Sequence, residues 1–228
     1  MIEDIVSVVA FLSGPCTIDA DHRCERFIGA SITACWFGQL GYKPHHRWAR
    51  TLQHSQGGIM YAHAISQCAQ ALRNLETWLE KAEQQAAARK FDVGVLMSAR
   101  LAPDMKPFIY QVQSACDYVK AAAAWLSGQT PPGHEDTEQT IDDVRARIRK
   151  TVAFALSVKE PQYAGAAARK VALSFAPAGK VLGGEDYLLQ MTIPNVYFHV
   201  AMAYAILRHN GVDIGKMEFL GPVNWIDA

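Results

Sequence analysis

The sequence predicts an all-α protein: an antiparallel four-helix bundle with a short β-hairpin before the last helix. Apolar residues recur every three or four positions over four long segments, which is the pattern of amphipathic helices. Most connections between these segments are short, which favours an antiparallel bundle as the simplest architecture. Half of the 228 residues are hydrophobic and 19% are charged, a composition typical of a globular chain with a core.

Each helix is predicted from an apolar stripe and from the residues at its ends. The first runs from Met60 to about Arg89. Its stripe consists of Tyr61, Ile65, Cys68, Leu72, Leu75 and Leu79. The second follows the Ala-Pro-Asp sequence at 102–104, where Asp104 is expected to be the N-cap. Its stripe consists of Phe108, Val112, Ala115, Val119, Ala122 and Leu126.

The last two helices surround the predicted hairpin. The third begins at Thr140, which has capping-box spacing with Asp143. The segments KVALSF and KVLGG, joined by APAG, then predict a small hairpin or an extended arm. The fourth helical segment, 185–211, contains Pro194, which predicts a kinked or two-piece helix.

Residues 1–59 differ from the rest because they show no sustained helical period. We expect them to be a poorly ordered N-terminal extension, or the product of a misassigned start site with Met60 as the natural start. A zinc-binding appendage is the competing interpretation, although the spacings lack close ligand pairs. Its ligands would be Cys16, Cys24, Cys35, His45 and His46. Residues 222–228 are expected to be a short C-terminal tail.

Charge and composition exclude several classes of partner. Lys+Arg and Asp+Glu both number 22, so no broad basic surface for nucleic acid is expected. No apolar run approaches the roughly 20 residues of a membrane-spanning helix, so no membrane partner is expected. Acidic residues precede the first apolar stretch, unlike in a secretory signal, and the five cysteines are sparse. We therefore predict a cytoplasmic protein with reduced thiols.

Three stretches between residues 60 and about 221 carry a resemblance to a known family. They are LMSARLAPDMKPFIYQVQSACD, the Pro-Pro loop before the third helix, and GGEDYLLQMTIPNVYFHVAMAYAILRHNGVDIGKMEFLG. In these stretches the sequence resembles an uncharacterised domain-of-unknown-function family of the DinB/YfiT-like helical-bundle superfamily. The resemblance implies a DinB-like four-helix bundle, often a homodimer, and no firmly assigned reaction.

The resemblance also implies a divalent metal between the helices, held by one histidine of the second helix and an H-x-x-x-H pair of the last. This chain has Asn195 and His199 at that spacing, and the second helix offers Gln113 and Asp117 instead of a histidine. These four residues are the expected metal ligands. One imidazole, one carboxylate and two amides suit Zn²⁺ poorly and Mn²⁺, Fe²⁺ or Ni²⁺ moderately. The expected cofactor is therefore a divalent metal, namely Zn²⁺, Ni²⁺, Mn²⁺ or Fe²⁺, or no cofactor at all.

His199 and Asp117 are the expected catalytic pair. Both sit among apolar neighbours, and a hydrogen bond between them would satisfy two buried polar groups, either as an acid/base pair or as a structural contact. Arg100 and Tyr204 are expected to line the ligand pocket, although a surface ion pair and a core position are the alternatives. Asn195 has a further alternative role, bonding to backbone groups near Pro194.

Two functions follow from these residues. The first is a DinB-like protein with a polar interhelical pocket, acting as a metal-assisted small-molecule transferase or hydrolase with an incomplete metal site. The second is a metal-free module that binds a small ligand or dimerises, without catalytic activity.

Overall fold

The computed structural model describes residues 46–227, with side chains from residue 58 onward. The predicted extension is described only from His46. Of the hypothetical zinc ligands, Cys16, Cys24, Cys35 and His45 lie outside the described residues, and only the backbone of His46 lies within them. The first helix begins at His46 and continues through Met60 without a break, so it starts upstream of the predicted position.

The all-α bundle predicted from the sequence is confirmed. Its long helices are α1 (His46–Arg89), α2 (Phe108–Ser127), α3 (Ile141–Ser157) and α4 (Ile193–His209), followed by the short α5 (Lys216–Leu220). Short 3₁₀ turns connect them at Val93–Ser98, Glu160–Tyr163 and Ala166–Ala168. Among the helices of residues 46–227, none is long and apolar enough to cross a membrane.

Contacts along α1 give the directions of its neighbours. Arg145 of α3 pairs with Glu83 at 2.7 Å, and Arg149, one turn later, pairs with the earlier Glu76 at 2.5 Å. The helices α1 and α3 are therefore antiparallel.

By contrast, α1 and α4 run in the same direction. The rings of Trp78 and Tyr204 meet at 5.5 Å, and further along both helices Gln85 Nε2 donates to the carbonyl of Asn210 at 3.0 Å. The bundle is thus a mixed one rather than a simple up-and-down arrangement.

The core is formed by the predicted apolar stripes. The α1 and α2 stripes are buried to 2% exposure or less. Helix α2 packs against both α3 and α4. Polar residues on the flanks of α2 therefore lie between helices.

The predicted hairpin is present and very short. Strand β1 (Lys170–Val171) pairs antiparallel with β2 (Leu182–Gly183), with Lys170 opposite Gly183. The next residue, Gly184, is tightly enclosed, because a Cβ there would overlap the carbonyl of Ala166. This contact requires a glycine.

A helical turn at Gly184–Asp186 and a π-helical turn at Tyr187–Thr192 lead into α4. Pro194 lies in the first turn of α4, where the absence of its N–H costs least. The predicted two-piece helix thus takes the form of an α-helix preceded by a π turn, and Asn210 caps its end.

The two predicted N-caps have different outcomes. Thr140 caps α3, and its capping box with Asp143 is confirmed. The prediction of Asp104 as the cap of α2 is wrong, because the helix begins after Pro107. A proline disfavours helical backbone in the residue before it, which delays the helix start beyond Lys106.

Candidate functional site

A cavity of about 300 Å³ lies between α2, the start of the α4 segment and the arm after β1. We refer to it as the aromatic cleft. Its rings belong to Tyr110, Tyr118, Trp125, Phe175, Tyr187 and His199, and its other polar side chains to Ser114, Asp117 and Ser174. Two of the predicted site residues, His199 and Asp117, therefore line the same space.

His199 is buried in the lining of the cleft, at 9% exposure. The ring of Tyr118 stacks on it with centroids 5.9 Å apart, and Phe198 meets it edge-on at 5.2 Å. Its Nδ1 lies 2.8 Å from Oε1 of Gln111. Burial lowers the pKa of His199 below its ordinary value of 6.5. The imidazole is therefore neutral at neutral pH.

The hydrogen bonds of Gln111 determine the tautomer of His199. Gln111 Nε2 donates to the carbonyl of Lys106 at 3.0 Å, which turns Oε1 towards the imidazole. Since an amide oxygen only accepts, Nδ1 must carry the proton, and Nε2 keeps its lone pair. The tautomer thus leaves an acceptor for a molecule in the cleft.

Asp117 lies on the cleft wall with its side chain 44% exposed. Its Oδ1 accepts from Lys120 Nζ at 2.8 Å and from Arg147 Nη2 at 3.0 Å. His199 Nδ1 is bonded to Gln111 instead. The expected Asp117–His199 hydrogen bond is therefore not among the contacts of either group.

Arg147 forms a buried network behind Asp117, with its side chain only 1% exposed. Its Nη1 lies 2.9 Å from both Glu138 Oε1 and Asp136 Oδ1. Burial acts to raise the pKa of Glu138, but hydrogen bonds from Gln113 and Arg147 outweigh it and lower this pKa. We call this network the Arg147 clamp; its members are Asp117, Lys120, Asp136, Glu138 and Arg147.

The four residues expected to hold a metal do not present a common set of donors. Gln113 Nε2 donates to Glu138 Oε2 at 2.9 Å, and Asn195 Nδ2 donates to the carbonyl of Met191 at 2.6 Å. Asp117 is paired with two cations, which compete with a metal for its oxygens. Within the described range, no group of three or more His, Cys, Asp or Glu residues could hold an ion. These donors therefore do not fit the divalent metal of the superfamily.

The structure places Arg100 and Tyr204 away from the cleft. Arg100 is exposed, and its Nη1 donates to the carbonyl of Met105 at 2.7 Å within its own loop. Tyr204 donates to the carbonyl of Ile214 at 3.3 Å and packs against Trp78 and Phe219. Their contacts are those of a loop residue and a core residue.

The cleft holds no reactive thiol. Cys116 of α2 is fully buried behind it, and burial raises its pKa to about 12. At neutral pH this side chain is a protonated, apolar group of the core.

The sequence reasoning did not identify Gln111 or Arg147 as functional positions. Both interrupt an apolar stripe: Gln111 is three residues after Phe108, and Arg147 is three after Val144. A polar residue on a buried helix face needs a partner, so this spacing was the available signal. The partner of Gln111, His199, is 88 residues away in sequence and could not be inferred locally.

Comparison with known proteins gives a consistent result. Residues 60–220 match a family described as a domain of unknown function, DUF1993. A crystal structure of a DinB family member protein from Shewanella denitrificans is 37% identical, with a TM-score of 0.73, covering 77% of this chain and 99% of that one. No curated protein matches the chain.

Proposed function

The chain belongs to the DUF1993 family of DinB-like proteins, and we propose that its aromatic cleft binds a small planar molecule that donates a hydrogen bond to His199. The supporting observation is the tautomer of His199 fixed by Gln111, which leaves the Nε2 lone pair unused by Gln111 on a ring that lines a cavity rich in aromatic residues.

The size and lining of the cleft support this proposal. A volume of about 300 Å³ is at the small end of ligand pockets and accommodates a molecule of one or two rings. Aromatic walls favour offset or edge-on contact with such a ring. The few polar groups would then fix its orientation, as in other ligand sites.

The expected metal-assisted transfer or hydrolysis has less support, because the amides of Gln113 and Asn195 are bonded to Glu138 and to the backbone. The expected homodimer stays a prediction.

Binding can be measured by saturation-transfer NMR with one- and two-ring aromatic fragments that carry an N–H or O–H donor. The variants are His199→Phe, which keeps a ring but removes the lone pair, and His209→Phe, an exposed control on the same helix. We expect binding to the native chain and to His209→Phe. His199→Phe should weaken it about fivefold, the effect of one neutral hydrogen bond.

Thermal unfolding of both variants provides the folding control. The proposal would be contradicted if no fragment bound the folded native chain. It would also be contradicted if a folded His199→Phe variant bound every fragment as tightly as the native chain does.

A further inference from the structure

We propose that the aromatic cleft selects an organic cation, namely an aromatic molecule bearing a protonated amine. This inference rests on the proposed function, since it specifies the class of ligand for the same cleft. It comes from three features of the cleft: its ring faces, its carboxylate and the placement of the nearby cations.

The ring faces are the first feature. Tyr118, Trp125 and Tyr187 all line the cleft, with Trp125 and Tyr187 at 5.5 Å between centroids. One face of Tyr118 is covered by the stacked ring of His199. The face of an aromatic ring is electronegative and attracts a cation within about 6 Å, most strongly when the site excludes water. Several aromatic rings around one small cavity favour a positive charge.

The carboxylate of Asp117 is the second feature. Both of its intramolecular hydrogen bonds go to Oδ1, from Lys120 and Arg147. The side chain is nevertheless 44% exposed and lines the cleft, so Oδ2 is the oxygen left for a bound amine. A carboxylate accepts from an ammonium but repels an anion.

The placement of the cations is the third feature. No Lys or Arg is among the residues that line this cleft in the described part of the chain, and Lys106, whose Nζ lies 5.2 Å from the ring centroid of Tyr110, is outside that lining set. Arg147 is 1% exposed and Lys120 is 10% exposed, and both are directed at acids of the Arg147 clamp. Neutral His199 adds an acceptor without a positive charge.

Three indoles with side chains of similar size separate charge from shape. Tryptamine carries an ammonium, 3-propylindole is neutral, and indole-3-propionate carries a carboxylate. Isothermal titration of the full chain should give the tightest binding for tryptamine, about tenfold tighter than 3-propylindole, within the usual range of a partly desolvated cation–π contact. Indole-3-propionate should bind most weakly.

A pair of variants assigns the preference to Asp117. Asp117→Asn should weaken the binding of tryptamine and leave the affinity for 3-propylindole unchanged. Asp136→Asn changes another acid of the Arg147 clamp that does not line the cleft, and should leave both affinities unchanged. If Asp117→Asn does not fold, the salt dependence of binding to the native chain tests the role of charge instead. Added salt should weaken the binding of tryptamine and of no other of the three indoles.

The outcomes distinguish this inference from the function on which it rests. If 3-propylindole binds as tightly as tryptamine and the binding still depends on His199, the cation preference is overturned and the ligand site stands. If indole-3-propionate binds best, the inference is overturned in the same way. If none of the three indoles and none of the aromatic fragments binds, both proposals fail.

Discussion

Gln111 determines the chemistry of the aromatic cleft through two hydrogen bonds. One fixes its own amide on the carbonyl of Lys106, and the other fixes the proton of His199 on Nδ1. The cost of breaking this arrangement is high because both side chains are buried.

Replacement of Gln111 by glutamate should reverse the titration behaviour of His199. Burial now lowers the pKa of His199 below 6.5, whereas an adjacent carboxylate stabilises the imidazolium and should raise it above that value. NMR titration of the His199 ring protons measures both states. Gln129→Glu, an exposed change just beyond the end of α2, is the control. An unchanged pKa in Gln111→Glu would contradict the assigned contact.

His134 should make the protein sensitive to acid. Burial and the neighbouring charges of Lys120, Lys150 and Arg147 lower its pKa to about 4. Between 6.5 and about 4 the unfolded chain binds a proton that the folded chain does not, so the free energy of unfolding falls as pH falls.

Urea unfolding at several pH values tests this linkage. The His134→Gln variant should lose less stability than the native chain across that window. Equal losses in the two proteins would contradict the assignment to His134. The lowered pKa of Glu138 acts in the same direction, but only below its ordinary value of 4.5.

At the residue scale, the sequence indicated two residues that line the aromatic cleft but not their hydrogen-bond partners. His199 could be predicted to lie inwards because it follows and precedes apolar residues, whereas Asp117 has a side chain that is 44% exposed. Their contacts with Gln111 and Arg147 join different helices, and the spacing within one helix contains no information on those contacts. The hydrogen bond of Gln113 to Glu138 likewise joins different elements. By contrast, the bond of Asn195 to the backbone of Met191 is local, and it is the alternative role expected near Pro194.

The Arg147 clamp joins α2 to α3 and to the loop between them, so it is best tested at the scale of these elements. Arg147→Met should lower the free energy of unfolding by about 3–5 kcal/mol, because it leaves the carboxylate of Glu138, which is 8% exposed, without its cation. Chemical denaturation measures this loss. The control is Arg149→Met, which removes an arginine of the same helix whose side chain is 65% exposed. It should lower the free energy of unfolding by about 1 kcal/mol or less. Equal costs would contradict a special role for the clamp.

Gly184 fixes the entry into the α4 segment. A Cβ at this position would overlap the carbonyl of Ala166. Gly184→Ala should therefore lower the free energy of unfolding by about 3 kcal/mol, as substitutions at other overpacked sites do. Gly133→Ala has open space around its Cβ and should be close to neutral. Comparison of the two melting temperatures tests the close approach, and a neutral Gly184→Ala would contradict it.

Elements with a strong apolar period could be predicted, and their ends could be predicted less well. The stripes of α1 and α2 were correct because burial of one helix face dominates the local energetics. The cap of α2 was misplaced because two turn signals, around Asp104 and around Pro107, compete within a few residues. The π turn before α4 has no distinct local pattern that would predict it.

At the scale of the whole molecule, the helix directions depend on the loop between α2 and α3. Residues 128–140 can extend to roughly 40 Å, which is longer than the roughly 30 Å of α2. The loop can therefore return along α2, and α3 can begin near the end of the bundle at which α2 begins. This length permits α1 and α4 to run parallel. Periodicity alone could not reveal it, since either direction buries the same stripes.

The most direct test of the aromatic cleft is the ¹⁵N NMR spectrum of the His199 imidazole at neutral pH, with and without tryptamine. A protonated Nδ1 and an unprotonated Nε2 whose resonance shifts on binding would agree with a cleft that presents a lone pair to its ligand. An imidazolium, or a proton on Nε2 in the free protein, would contradict it and remove the acceptor on which the proposed function depends.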